Sequence, residues 1–152
     1  MGKVHQSACS GLKNQAIGVS RGGKNTKIHV LINERMQVLN MLLTGGQIHD
    51  SQPVLDLFAS VDLVGKTILA DKAYSSDKIR NYLEERGAHV CIPDKSNFKM
   101  KHNFDTDCYK QCNIIERFFQ HIKNYRHVAT RYDKLADCFL NFALLASVAI
   151  HF

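Results

Sequence analysis

Between Thr26 and Ile32 the side chains alternate, with Ile28, Val30 and Ile32 on one face of an extended backbone and Lys27, His29 and Leu31 on the other. That period of two predicts a strand. Asn33-Glu34-Arg35 suits a turn, and Val38 to Leu43 is a second apolar run. The pair predicts a β-hairpin, which needs further elements packed on it. Upstream of the hairpin, Ser10-Gly11, Gly18 and Arg21-Gly22-Gly23-Lys24-Asn25 are loop chemistry.

Downstream, strands and helices alternate. Asp50-Ser51-Gln52-Pro53 opens a helix whose apolar face is Val54, Leu55, Leu57 and Phe58. Lys66 to Ala70 reads as a short buried strand with Asp71 at its carboxyl end. Ser75, Ser76 and Asp77 offer N-cap oxygens to a helix that reaches Arg86, with Ile79, Tyr82 and Leu83 inward and Gly87 as its stop. His89 to Ile92 is another strand, ended by Pro93. Residues 94–107 are polar and basic and predict a long loop. From Tyr109 a helical stripe of Ile114, Ile115, Phe118, Phe119 and Ile122 begins. Arg126 to Lys134 is a basic connector, and Leu135 onward a last helix whose stretch Phe139 to Ile150 reads as core-facing. This order predicts one α/β domain over residues 1–152, with helices packed on a central mixed sheet.

No apolar run reaches the roughly 18 residues of a membrane span, and the N-terminus lacks an apolar signal segment. The expectation is a cytoplasmic protein with no membrane partner. Its five cysteines are then reduced thiols. Cys108 and Cys112 are four apart, but His121 and His127 do not complete a zinc-finger spacing. A net charge of +6 draws the chain toward polyanions such as a phosphate backbone, although a solvated basic surface has the same composition.

Two carboxylates stand out. On the helix after Tyr109, a turn of about 100° per residue sets Tyr109, Cys112, Glu116 and Lys123 in one polar stripe at the rim of the apolar face. Asp71 ends a buried strand, where ligands gather in open α/β sheets. Bland readings compete: Glu116 can be a solvent-facing residue and Asp71 a helix cap. If the two meet, their oxygens suit Mg²⁺, which a protein often holds by one or two carboxylates. Lys123 would then hold a phosphate as a point charge.

Several segments in order resemble insertion-sequence transposases of the IS-five-like group, of the DDE type. Arg21 to His29 is similar to their R-G-G-x-x-T-K-I-H segment and Leu43 to Asp50 to L-T-G-G-Q-x-H-D. Ala70-Asp71-Lys72-Ala73-Tyr74 resembles the segment holding the second catalytic Asp, and Asn113 to Phe119 the one holding the catalytic Glu. Val128 to Ala136 matches the segment that follows. The resemblance covers nearly the whole chain. It implies a ribonuclease H-like fold and a DNA transposase that cleaves and transfers strands with two Mg²⁺ ions. Its partners would be insertion-sequence ends, target DNA and other transposase subunits, in the bacterial nucleoid. It implies catalytic roles for Asp71, Glu116 and Lys123, with Asp71 and Glu116 as metal ligands.

Departures from the pattern matter as much. The family's tyrosine, arginine, glutamate and lysine signature places Tyr109, Glu116 and Lys123, but Cys112 stands where the arginine would be. A cysteine offers no forked cation to a phosphate. Ala73 replaces a glycine, which would strain a positive φ. The family's first catalytic Asp lies before the segment that Lys3-Val4-His5-Gln6 resembles, at a position upstream of Met1, so the expectation is an incomplete catalytic domain. Tyr109, Lys123, Arg126, Arg131 and Lys134 are the expected DNA contacts, by phosphate pairing or stacking. Three functions follow: an enzyme part completed by an upstream segment, a catalytically dead copy that only binds DNA, or a fragment that inhibits full-length transposase.

Overall fold

The computed structural model describes residues 15–20, 23–94 and 112–152. Their elements run β1 (Gly18–Ser20), β2 (Gly23–Ile32), β3 (Val38–Gly45), α1 (Val54–Phe58), β4 (Thr67–Leu69), α2 (Asp77–Glu85), β5 (His89–Cys91), α3 (Asn113–Ile122), α4 (Arg126–Ala129) and α5 (Ala136–Ala149). The fold is mixed α/β. None of the described helices is long and apolar enough to cross a membrane. Residues 95–107 of the expected loop, with Lys99 and Lys101, and also Tyr109, Cys9, Cys108 and the Lys3 to Gln6 segment, lie outside the described residues.

The hairpin forms in the register that the alternation requires, with Ile28 opposite Leu43 and Val30 opposite Met41. Its turn is tied by Asn33, whose Oδ1 accepts from the backbone N–H groups of Arg35 and Gln37 at 2.9 and 3.0 Å. The strands themselves run further than expected: β2 starts at Gly23 and β3 ends at Gly45, which pairs with Thr26. β1, in a stretch that reads as loop, adds a third antiparallel strand at the start of β2. Thr26 Oγ1 anchors that addition by donating to the Ala16 carbonyl at 2.6 Å.

The expectation of one central mixed sheet needs correction for the described residues. Their strands make a three-stranded antiparallel sheet, β1-β2-β3, and a separate parallel pair, β4-β5. Each of the three residues of β4 is paired to β5, and the two sheets meet through side chains. Leu31 of β2 packs against a core of Val54, Phe58, Ile68, Ile79, Leu83 and Ile92. α2 is the crossover that parallel pairing demands. Ser76 starts it by accepting from the Ile79 N–H at 3.3 Å, and Gly87, at φ +78°, ends it.

A second core lies on the other side of the hairpin, where Met41 meets Phe118 and Ile122 of α3, Val128 of α4, and Ala143 and Ala146 of α5. α4 was not expected, since it sits in the basic connector. Four residues are too few to show a period, and burial of Val128 is what fixes this turn. Both cores hold fully enclosed side chains, Leu83 in one and Phe118 in the other. Leu83→Ala and Phe118→Ala are each expected to lower stability by about 2–5 kcal/mol, read by urea denaturation, because each leaves a cavity.

Candidate functional site

Asp71 follows β4 directly, in extended conformation, and its side chain caps nothing. It is exposed. Lys72–Tyr74 then forms one turn of 3₁₀ helix. Ala73 lies within that turn and not at a positive φ, so the replacement of a glycine there brings no strain. Glu116 is exposed on the first turn of α3 and Cys112 immediately precedes that helix.

The charges of these two elements reach one thiol. Burial pushes the Cys112 thiol up, and the next largest causes are the charges of Asp71 and then Glu116. Carboxylates 45 positions apart in sequence thus act on one sulfur. Both raise the cost of a thiolate, so Cys112 stays a neutral thiol. Among the described residues neither carboxylate is in a salt bridge, and no three His, Cys, Asp or Glu side chains are grouped to hold a metal.

Beside this pair lies a cavity of about 400 Å³, lined by Lys27, His29, Asp50, Tyr74, Lys123 and Arg131 among others. Asp71 and Glu116 are not part of its lining; Tyr74 joins the two regions. Burial raises the Tyr74 phenol, followed by the charges of Asp50 and Asp71. Asp50, which the sequence reads as part of a helix start, also lines this cavity. The structure brings it there through Lys27, whose Nζ donates to Asp50 Oδ1 and to the Ile48 carbonyl, both at 2.8 Å. A close approach fixes the same loop. The Gly46 N–H donates to the Asn25 carbonyl at 3.1 Å, and a Cβ at Gly46 would fall 1.3 Å from the Asn25 side chain. His29 is buried, and its Nε2 is 2.8 Å from Thr44 Oγ1 across the ladder. The side chains of the T-K-I-H and T-G-G-Q-I-H-D segments therefore hold one another, a link that their separate spacings do not reveal.

The expected DNA contacts divide. Lys123 closes α3, lines the cavity and sets its ammonium 5.9 Å from the Phe119 ring centre. Arg126 and Lys134 are exposed. Arg131 is not a surface cation: it is 1% exposed. Its Nε donates to the Asp133 carbonyl at 2.9 Å, one Nη to Thr26 Oγ1 at 2.7 Å and the other to the Lys134 carbonyl at 3.1 Å. Three of its five N–H donors are engaged inside, so Arg131 is a buried structural residue that also lines the cavity and not the surface cation that was expected.

Two outcomes follow. Asp71→Asn and Glu116→Gln should each speed alkylation of Cys112 at fixed pH, measured by peptide mass spectrometry, because each removes a charge that opposes the thiolate. Burial lowers the His29 pKa, Lys27 adds to this and Asp50 opposes it. A depressed folded pKa means that the contribution of neutral His29 is complete above pH 6.5 and is lost as pH falls through the folded value. Denaturation midpoints should therefore fall below pH 6.5, and His29→Gln should flatten that slope.

Comparison with known proteins bears on the same residues. The family model described as "Transposase DDE domain" matches residues 6–113, which includes Asp50 and Asp71 and stops short of Glu116. A Brucella ovis protein named "Putative transposase for insertion sequence element IS6501" is 29% identical over 129 residues, covering 82% of this chain and 96% of that protein. No solved structure matches. With well over half of its length inside the family match, the chain belongs to the transposase DDE domain family.

Proposed function

We propose that this chain contributes Asp71, Glu116 and Lys123 to Mg²⁺-dependent cleavage and strand transfer of DNA at the ends of an insertion sequence. What supports the reading is that the charges of Asp71 and Glu116 both act on the Cys112 thiol. Family membership and the transposase relative agree with it at the general level of a DNA transposase. Joining of the two sheets into a ribonuclease H-like whole, and completion of the site by an Asp-bearing upstream strand, belong to the same proposal.

The donor set fits the metal. Asp71 and Glu116 offer hard oxygens, exposed and outside any salt bridge among the described residues. A largely hydrated Mg²⁺ needs no more than one or two such ligands from the protein. Bound there, Mg²⁺ would supply activation of an attacking oxygen and charge for a leaving one. The chain's own residues do the rest. Lys123, exposed and lining the cavity, would offer a phosphate its positive charge there. Arg126 and Lys134 extend basic charge along the same half of the chain, with Tyr109 as a further DNA contact. Arg131 acts from within, holding the segment before α5 against β2.

Cys112 favours a second reading, a fragment that binds DNA without cutting it. A neutral thiol, acted on by both carboxylates, occupies the position where the resembling family has a cation. The experiment that separates the readings is nicking of a duplex bearing an insertion-sequence end, by this chain and by a version extended upstream through the first Asp. The catalytic reading expects Mg²⁺-dependent nicking by the extended protein, abolished by Asp71→Ala or Glu116→Ala. It also expects each of these changes to weaken Mn²⁺ binding, followed by electron paramagnetic resonance, by at least about tenfold. DNA binding without nicking, and Mn²⁺ affinity indifferent to both carboxylates, would establish the binding-only fragment. In that case Cys112→Arg should tighten DNA binding and steepen its salt dependence.

A further inference from the structure

Lys27 lies in the first half of β2, with its side chain 35% exposed. Among the described residues its ammonium spends two of three donors, on Asp50 Oδ1 and on the Ile48 carbonyl. The third is left for whatever enters the cavity that Lys27 lines. Two more cations line the same cavity from distant parts of the chain, Lys123 at the end of α3 and Arg131 before α5. Arg131 spends three of its five N–H donors among the described residues and keeps two.

Against these three cations the lining carries one carboxylate, Asp50. Asp133 acts on Arg131 from outside the lining, and Asp71 reaches the cavity only through its effect on Tyr74. His29 adds no charge near pH 7, because burial lowers its pKa. The lining is therefore positive on balance. Phe119, Val128 and Phe139 supply apolar wall, which excludes water and strengthens the attraction of an anion.

We propose that this cavity is a phosphate-binding subsite in which Lys27, held by Asp50, and Lys123 share one phosphate group. The inference deepens the reading of this site as one that handles DNA, and it rests on that reading for the ligand's source, a backbone phosphate of the bound strand. Free phosphate offers the same chemistry. A compact ammonium suits the task, because it holds phosphate as a point charge. Asp50 fixes where that ammonium sits and also competes for it. An entering phosphate oxygen thus meets a cation already in place, and its affinity depends on how strongly Asp50 holds on. A purely structural ion pair would tie β2 to the loop at Asp50 and give no answer to phosphate.

The test is nuclear magnetic resonance of the whole chain labelled with ¹³C at the lysine Cε positions. Inorganic phosphate is titrated in first and, in a separate sample, a short DNA duplex. Single lysine-to-glutamine substitutions assign the signals. With inorganic phosphate, Lys27 and Lys123 are expected to shift with one common midpoint, while Lys66, exposed just before β4, stays still. Asp50→Asn keeps an oxygen for Lys27 and removes the competing charge. It should lower the phosphate midpoint by about threefold, the size of one partly exposed charge pair. With DNA, Lys27→Gln should reduce the slope of log affinity against log salt by about one, and Lys27→Arg should restore it.

A Lys27 shift with both probes supports the subsite and assigns it to the DNA backbone. A shift with inorganic phosphate alone supports the subsite and assigns it to free phosphate; the DNA reading of the site is then what fails. Lys27 signals that neither probe moves overturn the proposal, even if the upstream-extended protein nicks DNA. A phosphate midpoint raised by Asp50→Asn overturns it as well. The first readout uses the unaltered chain, so it decides the matter even where a variant misfolds.

Discussion

Arg131 donates from all three of its nitrogens into the protein and stacks its guanidinium 5.3 Å from the centre of the Phe139 ring. Its partner Thr26 is 105 residues away and also donates to the Ala16 carbonyl. One buried side chain thus joins β1, β2, the turn before α5 and α5 itself. The Ala136 N–H at the start of α5 donates to Gln15 Oε1 at 3.0 Å, closing the same junction from the other side. Burial lowers the guanidinium's pKa against the favourable charge of Asp133, yet arginine remains charged in any accessible range. A charge buried this deeply is tolerated only because carbonyls and a hydroxyl surround it. The cavity beside the carboxylates borders on this junction, so its shape rests on those hydrogen bonds.

Within the site, ion pairing sorts the carboxylates into two kinds. Asp50 is neutralised by Lys27 at 2.8 Å. Asp71 and Glu116 have no such partner among the described residues. An acid with a fixed counter-charge organises structure; an acid without one keeps its field for whatever enters. Lys27 therefore limits how much negative charge faces the cavity, and Tyr74, which feels both Asp50 and Asp71, marks the boundary between the two kinds.

The hairpin was legible because alternation in Thr26–Ile32 leaves a single strand assignment, and α2 because Ser76 and Gly87 punctuate it. Asp71 and Glu116 were singled out by family resemblance, not by their spacing, and what the structure adds is that both charges act on Cys112. Other features were hidden for physical reasons. β1 has three residues, too short for a period to show. The division into two sheets depends on which strand edges meet, which no local pattern encodes. Arg131 looked like a surface cation because arginine is seldom buried; only its three internal acceptors reveal otherwise. The place of Asp50 at the cavity was hidden because its approach is made by Lys27 and by the contact of Gly46 with Asn25. Those are contacts between strands and loops rather than properties of any one segment. α5 read as core-facing, and half of it is; the exposed half has the same composition, so only packing tells the two apart.

The position of Cys112 carries a consequence for the chemistry of oxygen. Peroxides attack thiolates and leave protonated thiols largely alone. With burial, Asp71 and Glu116 all disfavouring the thiolate, this sulfur resists conversion to sulfenic acid. Burial makes the largest contribution and the two carboxylates add to it, so neutralising them would leave the thiol less disfavoured as a thiolate but still buried.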